Sequence, residues 1–166
     1  MNTVPSRVAG DLERLAIPHR IISHTDITIP IRSPQDFANA LERDLGSITK
    51  SVLMRTRTGS MYGLVVAPIG RKILFPAAAR ALGTSRLEVA PESVLEERTG
   101  FPRNGVSPLG LLIETSVVID ESLLDHASIL VGGGITGIEI ELRPGDIIRA
   151  TDAVVANLSP STAPPS

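Results

Sequence analysis

Apolar residues recur at helical spacing in some stretches of the chain and alternate with polar ones in others, and the changes of period mark out its elements. Val8, Leu12 and Leu15 share one helical face, and Ile17 and Pro18 end that segment before the strand-like "HRIISH". In "SPQDFANALERDLG" a serine cap, a proline at the first helical position and apolar Phe37, Leu41 and Leu45 predict a helix over 33–46, stopped by Gly46. Two aliphatic runs, 48–56 and 61–68, flank the polar turn "RTGS" and predict a β-hairpin. A short helix "FPAAARALG", a strand "LEVA" and a helix "PESVLEERTG" follow. After the loop "GFPRNGVSPLG", "LLIETSVVID" and "ASILVGG" predict strands and "GIEIEL" alternates strictly. "PGDIIRAT" then reads as a final helical turn ahead of "AVVANLS". Helices and strands interleave irregularly and no repeat of roughly 20–50 residues appears, which predicts a mixed α/β domain around a twisted, barrel-like sheet.

With 166 residues the chain has room for one well-buried core, placed here at 1–159 as a single domain. Residues 160–166, small, polar and proline-rich, are expected to form a disordered tail, because they cannot bury enough surface to offset the entropy of ordering. Aromatic residues make up 2% of the chain and the net charge is −2. Neither a stacking platform for nucleobases nor a strong positive field is available, so contact with nucleic acid is expected to be local and transient. The absence of cysteine excludes disulfides, thiolate metal sites and cysteine nucleophiles. No apolar run has the length of a signal sequence or a membrane span, which points to a cytoplasmic chain that needs no membrane.

Lys50 is one of only two lysines beside fourteen arginines. In a strand it shares a face with Ile48, Val52 and Met54, so its ammonium leaves from an apolar side, either to stand at the mouth of a cavity or to snorkel to water. The loop 100–110 combines glycines, which let backbone approach a ligand, with prolines, which hold the amides in place. It could aim N–H groups at a developing oxyanion, or serve as a rigid connection. "GGGITG" at 132–137 invites the same two readings and is not a dinucleotide fingerprint, because a strand rather than a helix follows it. His19, His24 and His126 lack metal-ligand spacing, and no metal or cofactor is expected. Ser107 lacks the context of a hydrolase nucleophile. Glu139 and Glu141 share a strand face opposite Ile138, Ile140 and Leu142, the pattern of a solvated strand edge.

The order of these parts resembles the YbaK/prolyl-tRNA synthetase-associated domain family of aminoacyl-tRNA deacylases. The resemblance spans about 17–159 and is carried by "ITKSVLM", "ARALG", "RTGFPRNGVSPLG", "VVID" and "VGGGITGIEIELRPGDII". It implies a curved, partly barrel-like mixed β-sheet with surrounding helices. It also implies that Lys50 secures the charged end of the substrate while amides of Gly105, Val106 and Ser107 meet the reacting carbonyl. Asn104 and Pro108 complete that loop, with Asn104 where the family pattern has glycine; Gly133 and Gly134 would line the opposite wall and His24 the pocket edge. Water oriented by backbone and by the substrate's own ribose hydroxyl would do the hydrolysis, with no protein nucleophile. The implied partner is a transiently bound aminoacyl-tRNA, with an aminoacyl-tRNA synthetase as a further candidate; the activity is editing in trans, the removal of a wrong amino acid from mischarged tRNA. A non-catalytic tRNA- or synthetase-binding module of the same fold is the alternative, and hydrolysis of an unrelated small ester a third.

Overall fold

The computed structural model describes residues 3–159; the expected tail at 160–166 lies outside them. α1 (Ser6–Arg14) leads into β1 (Arg20–Ser23) and, after a 3-10 turn at His24–Asp26, into α2 (Pro34–Ala40). The hairpin forms as the aliphatic runs predict, from β2 (Thr49–Arg55) and β3 (Tyr62–Pro68). Next come α3 (Phe75–Ala81), β4 (Glu88–Val89), α4 (Glu92–Thr99), a 3-10 turn at Arg103–Gly105 and β5 (Ser116–Asp120). β6 (Ile129–Gly132), β7 (Ile138–Leu142), α5 (Pro144–Thr151) and β8 (Val154–Ala156) complete the order.

The strands form a five-stranded mixed sheet, β4-β2-β3-β5-β8, and a three-stranded antiparallel sheet, β1-β7-β6. One parallel bridge, Ile48 to Leu130, joins them, supported by Thr49 Oγ1 donating to Leu130 O at 2.8 Å. The architecture is therefore mixed α/β as expected, with the sheets curling around a shared core without closing a barrel. Alternation along each strand divides the apolar residues between clusters. Leu53, Leu64, Val66, Val117 and Ile119 face Val131, Ile140 and Leu142 of the smaller sheet, with Val8 and Leu12 of α1 packed in. On the opposite face of the hairpin Met54, Val65 and Val118 pack under Ala77, Ala78 and Ala79 of α3. A third cluster places Phe37 and Ala38 of α2 on Ile48 and Leu130.

Local signals do not set every boundary. α2 has the expected cap, Ser33 Oγ accepting from Asp36 N at 3.1 Å, but it ends at Ala40 instead of reaching Gly46. Glu42 adopts a left-handed φ of 54° and Asp44 caps Gly46 N at 2.8 Å. The early turn lets Arg43 pair with Glu141 and donate to Ser128 O at 3.0 Å, contacts that outweigh a helix propensity of a few tenths of a kcal/mol per residue. The "LLIET" half of the expected strand at 111–120 is loop, because Leu112 N and Ile113 N bond back to Thr99 O and Arg98 O. No helix among the described residues is long and apolar enough to cross a membrane.

Asp120 is 1% exposed and staples the segment that follows β8 to the end of β5. It accepts from Leu158 N at 2.7 Å, from Ser159 Oγ at 3.0 Å and from Ser122 Oγ. Asp120→Ala strands a buried N–H and two hydroxyls, so a loss of about 2–3 kcal/mol is expected. It should appear as a lower urea midpoint at unchanged m-value. An unchanged midpoint would show the staple to be dispensable.

Candidate active site

Lys50 sits between two apolar clusters on one face of β2, as its spacing predicts. Ile48, one step before it on that face, packs under α2, while Val52 and Met54 beyond it pack under α3. Its half-buried ammonium emerges between them and donates to Arg71 O at 2.5 Å. Burial pulls its pKa below the ordinary lysine value of 10.5, because desolvation disfavours the charged form.

The free edge of β2 opens a wedge. At Ile48 that edge borders β6, and at Met54 and Arg55 it borders β4. Between these contacts lies a cleft of about 490 Å³ lined by Lys50, Ser51, Leu53, Glu92, Arg103 and Asn104. Lys50 and the glycine-proline loop therefore share one hollow.

The two glycine-rich loops touch backbone to backbone. A Cβ on Gly105 would lie 2.6 Å from Ile135 C and 2.8 Å from Thr136 N, and one on Gly132 would run into Val106 O. Asn104, by contrast, stands exposed in a 3-10 turn with ordinary negative φ, so no glycine is needed there. Gly105 N donates to Pro102 O at 2.9 Å and is engaged inside the turn. Among the described residues nothing accepts from Val106 N or Ser107 N. Ser107 is fully buried, its Oγ accepting from Leu109 N at 3.1 Å, and Pro108 lies buried beside it. Gly133 N closes the β6–β7 turn on Ile138 O at 2.9 Å, and Gly134, at φ 91°, lies against Phe101, Pro5 and Val8.

His24 lines a second hollow, of about 440 Å³, walled by Ile27, Ile29, Ile31, Phe37 and Ile69. Its ring meets Phe37 edge-on at 4.9 Å, and its Nε2 lies 3.3 Å from Glu139 Oε1. The reading of Glu139 and Glu141 as a solvated edge is wrong. α2 covers that face, leaving the two side chains 17% and 23% exposed and paired with His24 and with Arg43 and Arg20. Strict alternation shows which residues share a face but not whether a helix lies over it. Glu139 is thus the pocket residue that sequence reasoning missed; burial raises its pKa above the ordinary 4.5, partly opposed by the hydrogen bond and charge of His24.

A cation in a cleft that also holds Arg103 and Asn104, two residues ahead of amides with no acceptor among the described residues, suits polarisation of an ester carbonyl. A family model described as "Aminoacyl-tRNA editing domain" matches residues 28–150. The chain belongs to this family of YbaK-like editing domains. It is 28% identical over 128 residues to EbsC of Enterococcus faecalis, which carries the name of a Cys-tRNA(Pro)/Cys-tRNA(Cys) deacylase; the match covers 76% of this chain and 77% of that one. It is 26% identical to the prolyl-tRNA editing protein ProX of Acetoanaerobium sticklandii, over 75% of this chain and 76% of the relative. A crystal structure described as a candidate trans-editing enzyme for prolyl-tRNA synthetase superposes with a TM-score of 0.78 at 25% identity, covering 93% and 96% of the two chains.

Proposed function

We propose that this protein is an aminoacyl-tRNA deacylase that acts in trans, in the cytoplasm, on tRNA a synthetase has mischarged. The observation that carries the reading is the pair of amides, at Val106 and Ser107, with no acceptor among the described residues, on a loop that shares its cleft with Lys50 through Arg103 and Asn104. In this reading water adds to the ester carbonyl and the two amides receive the oxyanion. The carbon–oxygen bond to the ribose then breaks, the ribose oxygen takes up a proton and the amino acid leaves. An aminoacyl ester is already activated, so orienting water and stabilising one oxyanion suffices; one well-aimed donor lowers such a barrier by about 3 kcal/mol. Lys50 holds the anionic end of the substrate: an ammonium has three donors, and Arg71 O takes only one. Asn104 and Arg103 rim the cleft where the RNA end would lie, and a synthetase that docks nearby would supply substrate.

The test is release of radiolabelled amino acid from a panel of mischarged tRNAs, against uncatalysed hydrolysis. Release of at least one amino acid well above background is expected. No release from any member, with tRNA still bound, would instead identify a non-catalytic module.

The pH profile provides a separate check. Substrate holding needs Lys50 charged, and its lowered pKa means the proton is lost earlier as pH rises. After subtraction of uncatalysed hydrolysis, the alkaline limb of kcat/KM is expected to fall below 10.5. A limb at or above that value would separate the rate from Lys50.

A further inference from the structure

Among the described residues Glu139 has one polar contact, the 3.3 Å approach of His24 Nε2. An ionised carboxylate offers about four acceptor sites, so most of its capacity is unmet although its side chain is 17% exposed. Buried charges are ordinarily paired, and an under-paired one that borders a hollow suits a cationic ligand. The remaining wall is aliphatic. Ile29 and Ile31 are 52% and 41% exposed at the mouth, where solvent alone gives no reason for two isoleucines side by side. Arg32 and Ser33 are exposed at the outer rim and supply its other polar groups.

Two backbone links tie the walls of this hollow to the Lys50 strand and to the glycine-proline loop. Ile69 of its wall donates to Ile48 O at 2.8 Å and lies two residues before Arg71, the anchor of the Lys50 ammonium. Glu139 is the register partner of Gly132, so its side chain leaves from the same face of the sheet on which a Cβ at Gly132 would meet Val106. In an aminoacyl ester the ammonium and the side chain both branch from the carbon next to the reacting carbonyl. A carbonyl facing the Val106 and Ser107 amides would therefore carry both groups into the neighbouring space.

We infer that this hollow receives the amino acid itself, with Glu139, oriented by His24, holding the α-ammonium, and Ile27, Ile29, Phe37 and Ile69 holding an uncharged aliphatic side chain. The inference rests on the deacylase reading and names the class of amino acid removed. A hydroxyl on the side chain would be stripped of water against these isoleucines without a partner, so alanine is favoured over serine and valine over its isostere threonine.

The test compares alanyl-, seryl-, valyl- and threonyl-tRNA with their N-acetylated forms, each rate divided by the uncatalysed hydrolysis of the same ester. The wild type is expected to favour the free ammonium by roughly tenfold or more in kcat/KM, and Glu139→Gln to bring that ratio toward one. Glu139→Gln should fold at least as well as wild type, since it removes a poorly solvated charge, and thermal melting checks this. In whichever pair is turned over, the aliphatic member should be faster, by up to about a hundredfold. Equal normalised rates for free and acetylated esters, or an unchanged ratio in Glu139→Gln, would overturn the ammonium assignment while leaving the deacylase standing. A preference for serine or threonine would overturn the aliphatic assignment. Absence of release from every ester would overturn the deacylase reading and this inference with it. The comparison of free and acetylated esters needs only wild-type protein, so it stands whatever the variant does.

Discussion

Lys50→Ala is expected to abolish measurable release of amino acid, by roughly a hundredfold or more, while the protein stays folded. The two halves of this expectation have separate causes. Lys50 contributes one hydrogen bond, to Arg71 O, and its lowered pKa shows that the folded chain holds the charged form less readily than water does. Below the folded pKa that charge weighs against folding. Between the folded pKa and 10.5 the unfolded chain binds more protons, so stability rises with pH in that window. Removing the cation is therefore tolerable to the fold. In the proposed mechanism catalysis loses the charge that holds an anionic substrate; the cleft's other cation, Arg103, stands on the loop, and on Lys50's own face of β2 the neighbours are Ile48, Val52 and Met54. Lys50→Met, which keeps the length and drops the charge, should behave like the alanine variant. Wild-type rates in either would remove Lys50 from the mechanism.

Gly132→Ala should be the most damaging change in the second glycine loop. Its methyl would run into the Val106 carbonyl, and main chain on both sides leaves no flexible side chain to yield. Overpacking of this kind costs about 2–3 kcal/mol, and any relief must shift the segment whose Val106 and Ser107 amides are proposed to receive the oxyanion. Misplacement of reacting groups by about 1 Å can cost about a hundredfold in rate. Gly145→Ala is the matched control: a Cβ there meets nothing within 4 Å, and it lies in α5 away from both loops. It should be neutral or slightly stabilising. Thermal melting and deacylation rates together separate the outcomes. If Gly132→Ala matches the control in both, the backbone contact between the two loops does not position the amides.

Much of the fold was legible because it depends on short-range periodicity. The 3.6-residue spacing of Val8, Leu12 and Leu15 and the aliphatic runs around "RTGS" are read within one element, and α1 and the β2–β3 hairpin form where these signals lie. The end of α2 was not legible, since Arg43 finds Glu141 and Ser128, 98 and 85 residues away. Lys50 stood out by its rarity and by its apolar face, both visible in the chain alone.

The sequence by itself determined the order of elements, the face that Lys50 shares with Ile48 and Val52, and the exclusion of thiol chemistry. Only the tertiary structure decided that α2 covers Glu139, that Gly132 meets Val106, and that the Val106 and Ser107 amides find no acceptor among the described residues. Periodicity sets which side chains share a face. What lies across from that face depends on contacts between distant segments, which local spacing does not encode.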